Sequence, residues 1–252
     1  MSTCLIIQHV EVEHPFKIAE ALRIAQIKVQ MAEVFAGDAI PSDASGLDGV
    51  VVMGGPMSAR SDEGFESRRA EIALLCDAFE REVPVLGVCL GAQLLATACG
   101  GEVKAGEVGP EIGWGTVELT EVASTDALLG GLPEAIPVLH WHSETFELPP
   151  GALKLASSSR YPNQAFRVGE RAWGFQFHLE IDDAAVRSFV VAFAGEATDA
   201  GCDPVSIQEA TPSALEILAP HQDRVLARFT TVVASSGWPA GFGAASSALP
   251  NR

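Results

Sequence analysis

Residues 84–96 read PVLGVCLGAQLLA and place a single cysteine where a predicted strand meets a predicted helix. The apolar run before Cys89 suits a strand that is buried on both faces, and the helix begins directly after it at Leu90. Gly87 and Gly91 stand two residues to either side of the thiol. This spacing is the G-x-nucleophile-x-G arrangement of a strand–turn–helix elbow. We therefore predict a parallel sheet that presents Cys89 at its carboxyl edge.

The two glycines have a physical reason to stand there. An elbow strains the backbone of its nucleophile and crowds neighbouring segments, so a Cβ atom at the flanking positions would clash. The helix N-terminus behind Cys89 offers free amides and partial positive charge, so we expect a lowered pKa for its thiol. A buried structural cysteine is the alternative. That is our interpretation of the remaining cysteines, which are Cys4, Cys76, Cys99 and Cys202.

Strands and helices alternate through the first half of the chain. We predict strands at residues 4–8, 29–34, 49–53 and 84–88, and helices at 15–27, 62–82 and 90–99. This order predicts an α/β fold, a flavodoxin-like, doubly wound and mostly parallel central sheet flanked by helices. Strand-like segments at 112–119, 137–140, 153–157, 163–168 and 172–177 predict an antiparallel extension or a smaller side sheet. Further helices are expected at 182–194 and 213–235, followed by an irregular tail.

Composition excludes several classes of function. A net charge of −17 opposes binding to nucleic acid or to an anionic membrane. No segment is apolar for long enough to span a bilayer, and the N-terminus lacks the basic region of a signal peptide. Five cysteines without a CxxC pair argue against a disulfide framework or a zinc site. We therefore expect a cytoplasmic protein with no metal and no cofactor.

A general base and an oxyanion site can be placed by the same logic. Residues 173–180 read WGFQFHLE, and His178 and Glu180 are two apart on a predicted strand, so both side chains would face the same side. His178 could take the thiol proton while Glu180 orients the imidazole. The amide of Leu90 and the amide of Gly55, in the turn after a parallel strand, could receive an oxyanion.

Three segments together resemble the triad (class I) glutamine amidotransferases. These are GVCLGAQ at 87–93, GGPM at 54–57 and FHLE at 177–180, in the family's order across about residues 4–195. The segments EIGW at 111–114 and WHSETFELP at 141–149 look like the free-standing, GMP-synthase-like members. On this basis we expect an amidotransferase domain at 1–195 and a C-terminal extension, helix plus irregular tail, at 196–252.

The resemblance implies the chemistry and the substrate contacts. A Cys89, His178 and Glu180 triad would hydrolyse the γ-amide of glutamine through a γ-glutamyl thioester. The loop from Trp141 to Glu144 would receive the α-amino and α-carboxylate groups, although Glu144 could instead be a solvated loop charge and His142 could only shape the loop. The implied substrate-binding residues are Gly54, Met57, Gln93, Trp141, Ser143 and Glu144.

Several alternatives stay open at this point. The same residues could serve a γ-glutamyl peptide hydrolase, another thiol hydrolase, or a catalytically silent binding module. Leu179 replaces the proline that many members have between His and Glu, which leaves both functional side chains in place. The extension is too short for an acceptor-activating domain, and no GxxxxGK[ST] loop occurs, so ammonia would be released or passed to a separate synthase. Four histidines belong to no cluster that the sequence reveals, and we interpret them as structural or solvated: His9, His14, His140 and His221.

Overall fold

The computed structural model describes residues 2–235, which contain eleven strands and six α-helices. The strands are β1 (Thr3–Gln8), β2 (Lys28–Glu33), β3 (Gly49–Val52), β4 (Val85–Val88), β5 (Val103–Ala105), β6 (Glu111–Leu119), β7 (Ala135–His142), β8 (Glu144–Phe146), β9 (Leu153–Ser157), β10 (Ala165–Val168) and β11 (Ala172–Phe175). The helices are α1 (Phe16–Ile24), α2 (Arg68–Glu80), α3 (Leu90–Ala98), α4 (Asp183–Ala192), α5 (Ala194–Asp199) and α6 (Pro204–Ala234).

Nine of these strands form one mixed sheet in the order β2-β1-β3-β4-β11-β10-β9-β6-β7. The neighbours from β2 to β11 pair in parallel, while the neighbours from β11 to β7 pair antiparallel. Strands β5 and β8 make a separate antiparallel pair. The predicted α/β class, with a parallel core and a small side sheet, is confirmed.

The inner parallel strands β3 and β4 are buried on both faces because their side chains are apolar on both faces. All four residues of β3 and all four of β4 are buried. Helices α1, α4 and α6 pack on one face, where Leu22, Phe189 and Phe229 join a common cluster. Helices α2 and α3 pack on the other face through Leu75 and Leu94. This layering leaves the carboxyl ends of β3 and β4 free to carry functional loops.

Helix α6 is longer than the predicted 213–235 segment. It begins at Pro204, where the Asp203 carboxylate accepts hydrogen bonds from the amides of Val205 and Ser206 at 3.2 Å each. Pro212 and Pro220 lie inside the helix, although proline normally ends one. Tertiary packing overrides that preference, since the helix buries one apolar stripe in the main core. The stripe comprises Leu218, Val225, Leu226, Phe229 and Val233.

Other boundaries differ for local reasons. Helix α1 ends at Ile24 because Gln26 adopts a positive φ of 57°. Helix α2 begins at Arg68 rather than at residue 62, since Asp62 lies in a turn where its carboxylate accepts hydrogen bonds from two arginine side chains. Helix α5 was not predicted. Within residues 2–235, no helix is both long and apolar enough to cross a membrane. The predicted irregular tail begins at Ser235, and residues 236–252 of it lie outside the described residues, while the division at residue 195 stays a prediction.

Candidate active site

Cys89 lies at a sharp turn between β4 and α3. Its backbone has φ 51° and ψ −106°, a conformation that a non-glycine residue rarely adopts. A Cβ atom on Gly91 would lie 2.0 Å from the carbonyl oxygen of Val52, and one on Gly87 would lie 2.5 Å from that of Gly91. Both glycines are therefore required for β3, β4 and α3 to approach one another, and the turn is held strained by its surroundings.

His178 reaches the thiol by a different route from the predicted one. Strand β11 ends at Phe175, so His178 and Glu180 lie beyond the strand, and alternation along a strand does not orient them. Instead, His178 forms a single bridge with Leu139 of β7, with backbone hydrogen bonds of 2.8 and 3.2 Å. The expectation of a common strand is wrong. The pair is nevertheless brought together: His178 Nδ1 lies 2.7 Å from Glu180 Oε1, and both side chains are buried.

Burial and charge oppose one another at the catalytic pair. Burial lowers the pKa of His178, but the Glu180 carboxylate and the interaction with Cys89 outweigh it and raise that pKa well above 6.5. Burial raises the pKa of the Cys89 thiol above 9.0, and its hydrogen bond to His178 offsets only part of the rise. The expectation of a lowered thiol pKa is wrong because the thiol is enclosed. The raised pKa of the imidazole favours transfer of the thiol proton to His178, while burial of the thiol opposes that transfer.

The turn after β3 is fixed from behind by His9. Its Nδ1 lies 2.9 Å from the carbonyl oxygen of Gly54, and its Nε2 lies 2.8 Å from Glu71 Oε2. Because a trans peptide points its N–H opposite to its carbonyl, this contact aims the Gly55 amide away from His9. Burial lowers the pKa of His9, but Glu71 outweighs it and the pKa is raised. His9 is therefore structural, as expected, although it serves the turn of the predicted oxyanion site.

A cavity of about 250 Å³ opens beside the thiol. The predicted site residues that line it are Gly55, Met57, Cys89, Leu90, Gln93, Trp141, Ser143 and Glu144. Gly54 lies behind this wall and does not line the cavity. Pro56, Ser58, His142 and Glu196 complete the lining. One cavity therefore brings the elbow, the turn after β3 and the loop after β7 together.

Glu144 is held in a defined position at the cavity wall. Its Oε1 accepts a hydrogen bond of 2.6 Å from the Ser58 hydroxyl, while its Oε2 is buried and has no hydrogen-bond partner among the described residues. The Glu144 carbonyl also lies 3.0 Å from His142 Nδ1. Glu144 is therefore not a solvated loop charge. A buried carboxylate oxygen without a donor is suited to a ligand cation, because that group otherwise stays unsatisfied.

Sequence reasoning missed three polar neighbours of the site. Ser58 directly follows the GGPM turn, and this position in the sequence could have identified it as a neighbour of the site. Gln176 donates to the Cys89 sulfur at 3.8 Å and accepts from Gln93 at 3.1 Å. Glu13 is buried near His178 with an unpartnered Oε2, and burial raises its pKa to about 7. Glu13 follows β1, whose carboxyl end faces the same edge of the sheet.

A second polar cluster lies next to the cavity. Glu111, His140 and His142 are buried, and their ligand atoms lie within 4.8 Å of one another. The interpretation of His140 as a residue without a cluster is therefore wrong. Burial lowers the pKa of His140 to about 4, so its imidazole is neutral. The cluster was invisible in the sequence because the pairing of β6 with β7 creates it.

Comparison with known proteins places this geometry among glutamine amidotransferases. Residues 14–190 match the family described as glutamine amidotransferase class-I. The glutamine amidotransferase-like protein YfeJ of Salmonella typhimurium is 34% identical over 176 residues, which cover 68% of this chain and 73% of that protein. GMP synthase (glutamine-hydrolyzing) of Porphyromonas gingivalis is 34% identical over 163 residues. That match covers 64% of this chain and 30% of the synthase, so the chain corresponds to less than a third of that relative.

Solved structures agree in fold over almost the whole chain. A glutamine amidotransferase from Thermotoga maritima superposes with a TM-score of 0.82 at 29% identity, covering 91% of this chain and 98% of the other. One from Methylobacillus flagellatus gives a TM-score of 0.83 at 31% identity, covering 92% and 95%. The similarity in fold thus extends over about nine-tenths of this chain.

Proposed function

This chain belongs to the class-I glutamine amidotransferase family, and from that membership and the geometry of its site we propose that it hydrolyses the γ-amide of glutamine. The observation that carries the proposal is the strained turn at Cys89, which places the thiol in one buried site with His178 and Glu180. The cavity beside that thiol has a volume of about 250 Å³, which suits a small substrate. A thiol, a base and a confined polar cavity are the requirements for acyl transfer from a small amide.

The proposed reaction begins when His178 accepts the proton of the Cys89 thiol. The sulfur then forms a bond to the amide carbon, and the carbonyl electron pair moves onto oxygen. That oxyanion is stabilised by the amides of Gly55 and Leu90. Glu180 stabilises the imidazolium that His178 becomes, which is consistent with the raised pKa of the imidazole.

The second half returns every group to its starting state. His178 delivers its proton to the amide nitrogen, the carbon–nitrogen bond breaks and ammonia leaves. Water then loses a proton to His178 and attacks the γ-glutamyl thioester, which releases glutamate. The Cys89 sulfur takes the proton back from His178. No redox step and no metal-bound step enters this sequence.

Recognition of the amino-acid head is proposed for the loop after β7. The unpartnered Oε2 of Glu144 would accept the α-ammonium group, and the Ser143 amide would meet the α-carboxylate. Gln93 extends from α3 into the same cavity, where its amide already bonds Gln176. The other proposed contacts are Met57 and Trp141 at the cavity wall. Gly54 would act only through the position of the Gly55 amide.

The fate of the ammonia is a separate part of the proposal. Class-I relatives include synthases named as glutamine-hydrolyzing, in which this domain is about a third of the protein. We propose that ammonia is released here or passed to a separate synthase. Comparison of ammonia release from glutamine with and without a candidate acceptor-activating protein tests this. Fast release by the chain alone would contradict gating by a partner.

The function itself is tested by assaying the purified chain against glutamine and against γ-glutamyl peptides. Equal amounts of ammonia and glutamate from glutamine are expected, and Cys89→Ser should release neither. Preferential cleavage of the peptides would instead favour a γ-glutamyl peptide hydrolase. No turnover of either class, with glutamine still bound, would identify a catalytically silent binding module.

A further inference from the structure

Three side chains suited to metal binding converge on adjacent strands beside the cavity. Glu111 of β6 pairs in register with His142 of β7, and His140 lies two residues earlier on β7. Gly115 makes room for His140, because a Cβ atom there would lie 2.7 Å from His140 Cδ2. The three side chains therefore point to one buried place through the pairing of β6 with β7.

The distances among the ligand atoms suit a bound ion. Glu111 Oε2 lies 3.2 Å from His142 Nε2 and 3.6 Å from His140 Nδ1. In a tetrahedral zinc site with bonds of about 2.0–2.2 Å, ligand atoms stand about 3.4 Å apart. The two observed distances lie on either side of the distance expected between ligands of a tetrahedral zinc ion. Two imidazoles and one carboxylate are a ligand set that Zn²⁺ accepts.

The hydrogen bond at the far side of His142 orients its ring for coordination. Its Nδ1 lies 3.0 Å from the carbonyl oxygen of Glu144, which can only accept, so Nδ1 carries the proton. In the neutral ring, Nε2 then presents a lone pair to Glu111 Oε2. A backbone carbonyl that holds the remote nitrogen is the usual second contact of a metal-bound histidine.

The ring nitrogens of His140 supply an independent observation that points to a ligand at this cluster. The residue is 2% exposed, and neither of its ring nitrogens has a hydrogen-bond partner within residues 2–235. Buried imidazole nitrogens are almost always satisfied, because leaving them unpaired costs free energy. Coordination through Nδ1, which faces Glu111, would satisfy one of them.

Gln164 lies at the fourth corner of the same group. Its Nε2 is 2.7 Å from Glu111 Oε2 and 3.4 Å from His142 Nε2, while its Oε1 is buried without a partner. The two ends of such an amide are distinguished by their neighbours. Turning the amide over would present Oε1 to the ion, and the Ser158 hydroxyl, now 3.2 Å from Nε2, would turn from Glu111 Oε2 to donate to it.

We propose that Glu111, His140 and His142, with the Gln164 amide oxygen, bind a divalent cation of the Zn²⁺ class. This proposal departs from the expectation of no metal, because the lack of a CxxC pair argues only against thiolate sites. The ion would hold His142, and through it the Glu144 carbonyl, so its role is to brace the loop that lines the cavity. This role does not depend on the proposed reaction.

Zn²⁺ titration followed by calorimetry tests the proposal, with Cys89→Ser as the starting protein so that the catalytic thiol does not compete for the ion. One equivalent of Zn²⁺ is expected to bind. In that background, His140→Ala and Glu111→Gln should each weaken binding by more than about 10-fold, the least that loss of even an outer contact costs. His14→Ala, which alters an exposed histidine, is the matched control and should bind normally.

Cobalt substitution keeps the test decisive if a variant fails to fold. Co²⁺ in the Cys89→Ser protein should give the visible absorption of a four-coordinate nitrogen and oxygen site, without thiolate charge-transfer bands. Thiolate bands, the absence of stoichiometric binding, or Zn²⁺ affinity unchanged in His140→Ala would each overturn the proposal.

Discussion

The imidazole of His9 joins the carbonyl oxygen of Gly54, at 2.9 Å, to the buried carboxylate of Glu71, at 2.8 Å. Glu71 is itself held by the Ser67 hydroxyl at 2.6 Å. This chain of contacts fixes the plane of the peptide between Gly54 and Gly55. The direction of the Gly55 amide is thus set by His9 just after β1, by Ser67 just before α2 and by Glu71 of α2, none of which lines the cavity.

Replacing His9 should therefore lower turnover without weakening substrate binding. We expect His9→Ala to reduce kcat for glutamine by roughly 10-fold, less than the 10²–10³-fold cost of removing an oxyanion donor outright. KM should change little, because His9 does not line the cavity. His14→Ala is the control. A raised KM with unchanged kcat would show that the contact shapes the cavity and does not aim the amide.

Glu13 gives the folding stability a specific pH dependence. Burial raises the pKa of Glu13 from 4.5 to about 7, so between these values the folded chain binds a proton that the unfolded chain lacks. Stability should therefore fall as the pH rises from about 4.5 through about 7, and then level off. At about 1.4 kcal/mol per pKa unit, the loss is on the order of 3 kcal/mol.

Denaturant unfolding of Glu13→Gln isolates this contribution. The variant lacks the titrating group, so its free energy of unfolding should fall less between pH 5 and pH 8 than that of the parent chain. Groups distant from Glu13 titrate alike in both proteins, so their effect on stability cancels in the comparison. The groups whose titration is coupled to Glu13 are His9, His178, Glu180 and Glu196. If the free energy of unfolding depended on pH identically in the two proteins, the pKa of Glu13 would not be raised in the folded chain.

Removal of the proposed base should affect turnover more than loss of the group that orients it. We expect His178→Ala to reduce kcat by roughly 10²–10⁴-fold, the usual contribution of a positioned acid–base group. Glu180→Gln should cost less, because the amide oxygen can still accept from His178 Nδ1. Steady-state ammonia release measures both. Near-normal turnover in His178→Ala would refute the triad.

Loss of the Glu144 carboxylate should act on substrate affinity. Glu144→Ala should raise KM for glutamine more than it lowers kcat, because its free Oε2 is proposed to hold the α-ammonium group. Ser58→Ala is the companion variant: it releases Oε1 but keeps the charge, so its effect should be smaller. An unaltered KM in Glu144→Ala would remove this residue from head-group recognition.

Local patterns in the sequence were sufficient for the parallel core and for the turn at Cys89. Apolar runs identify β3 and β4. The spacing of Gly87 and Gly91 around Cys89 indicates that β3, β4 and α3 approach one another closely. Contacts between distant segments could not be predicted. Ser58 meets Glu144 across 86 residues, and Glu111 meets His140 only through the pairing of β6 with β7.

Two errors have the same origin in tertiary context. The bridge from His178 to Leu139, not strand alternation, orients the imidazole. The sign of the Cys89 pKa shift was wrong because the helix N-terminus was weighed without the burial that dominates it. Sequence patterns predict which residues face the site. The depth of their burial and the contacts between distant segments can be read only from the folded structure.

The central claim is that Cys89 is the nucleophile, and covalent labelling tests it most directly. The native chain should be treated with an electrophilic glutamine analogue and its modified peptide identified by mass spectrometry. A single adduct at Cys89 is expected, with the remaining four cysteines unmodified and with glutamine protecting against the reaction. Modification mainly at Cys76 or Cys202, which are more exposed than Cys89, or labelling that glutamine does not slow, would contradict the account.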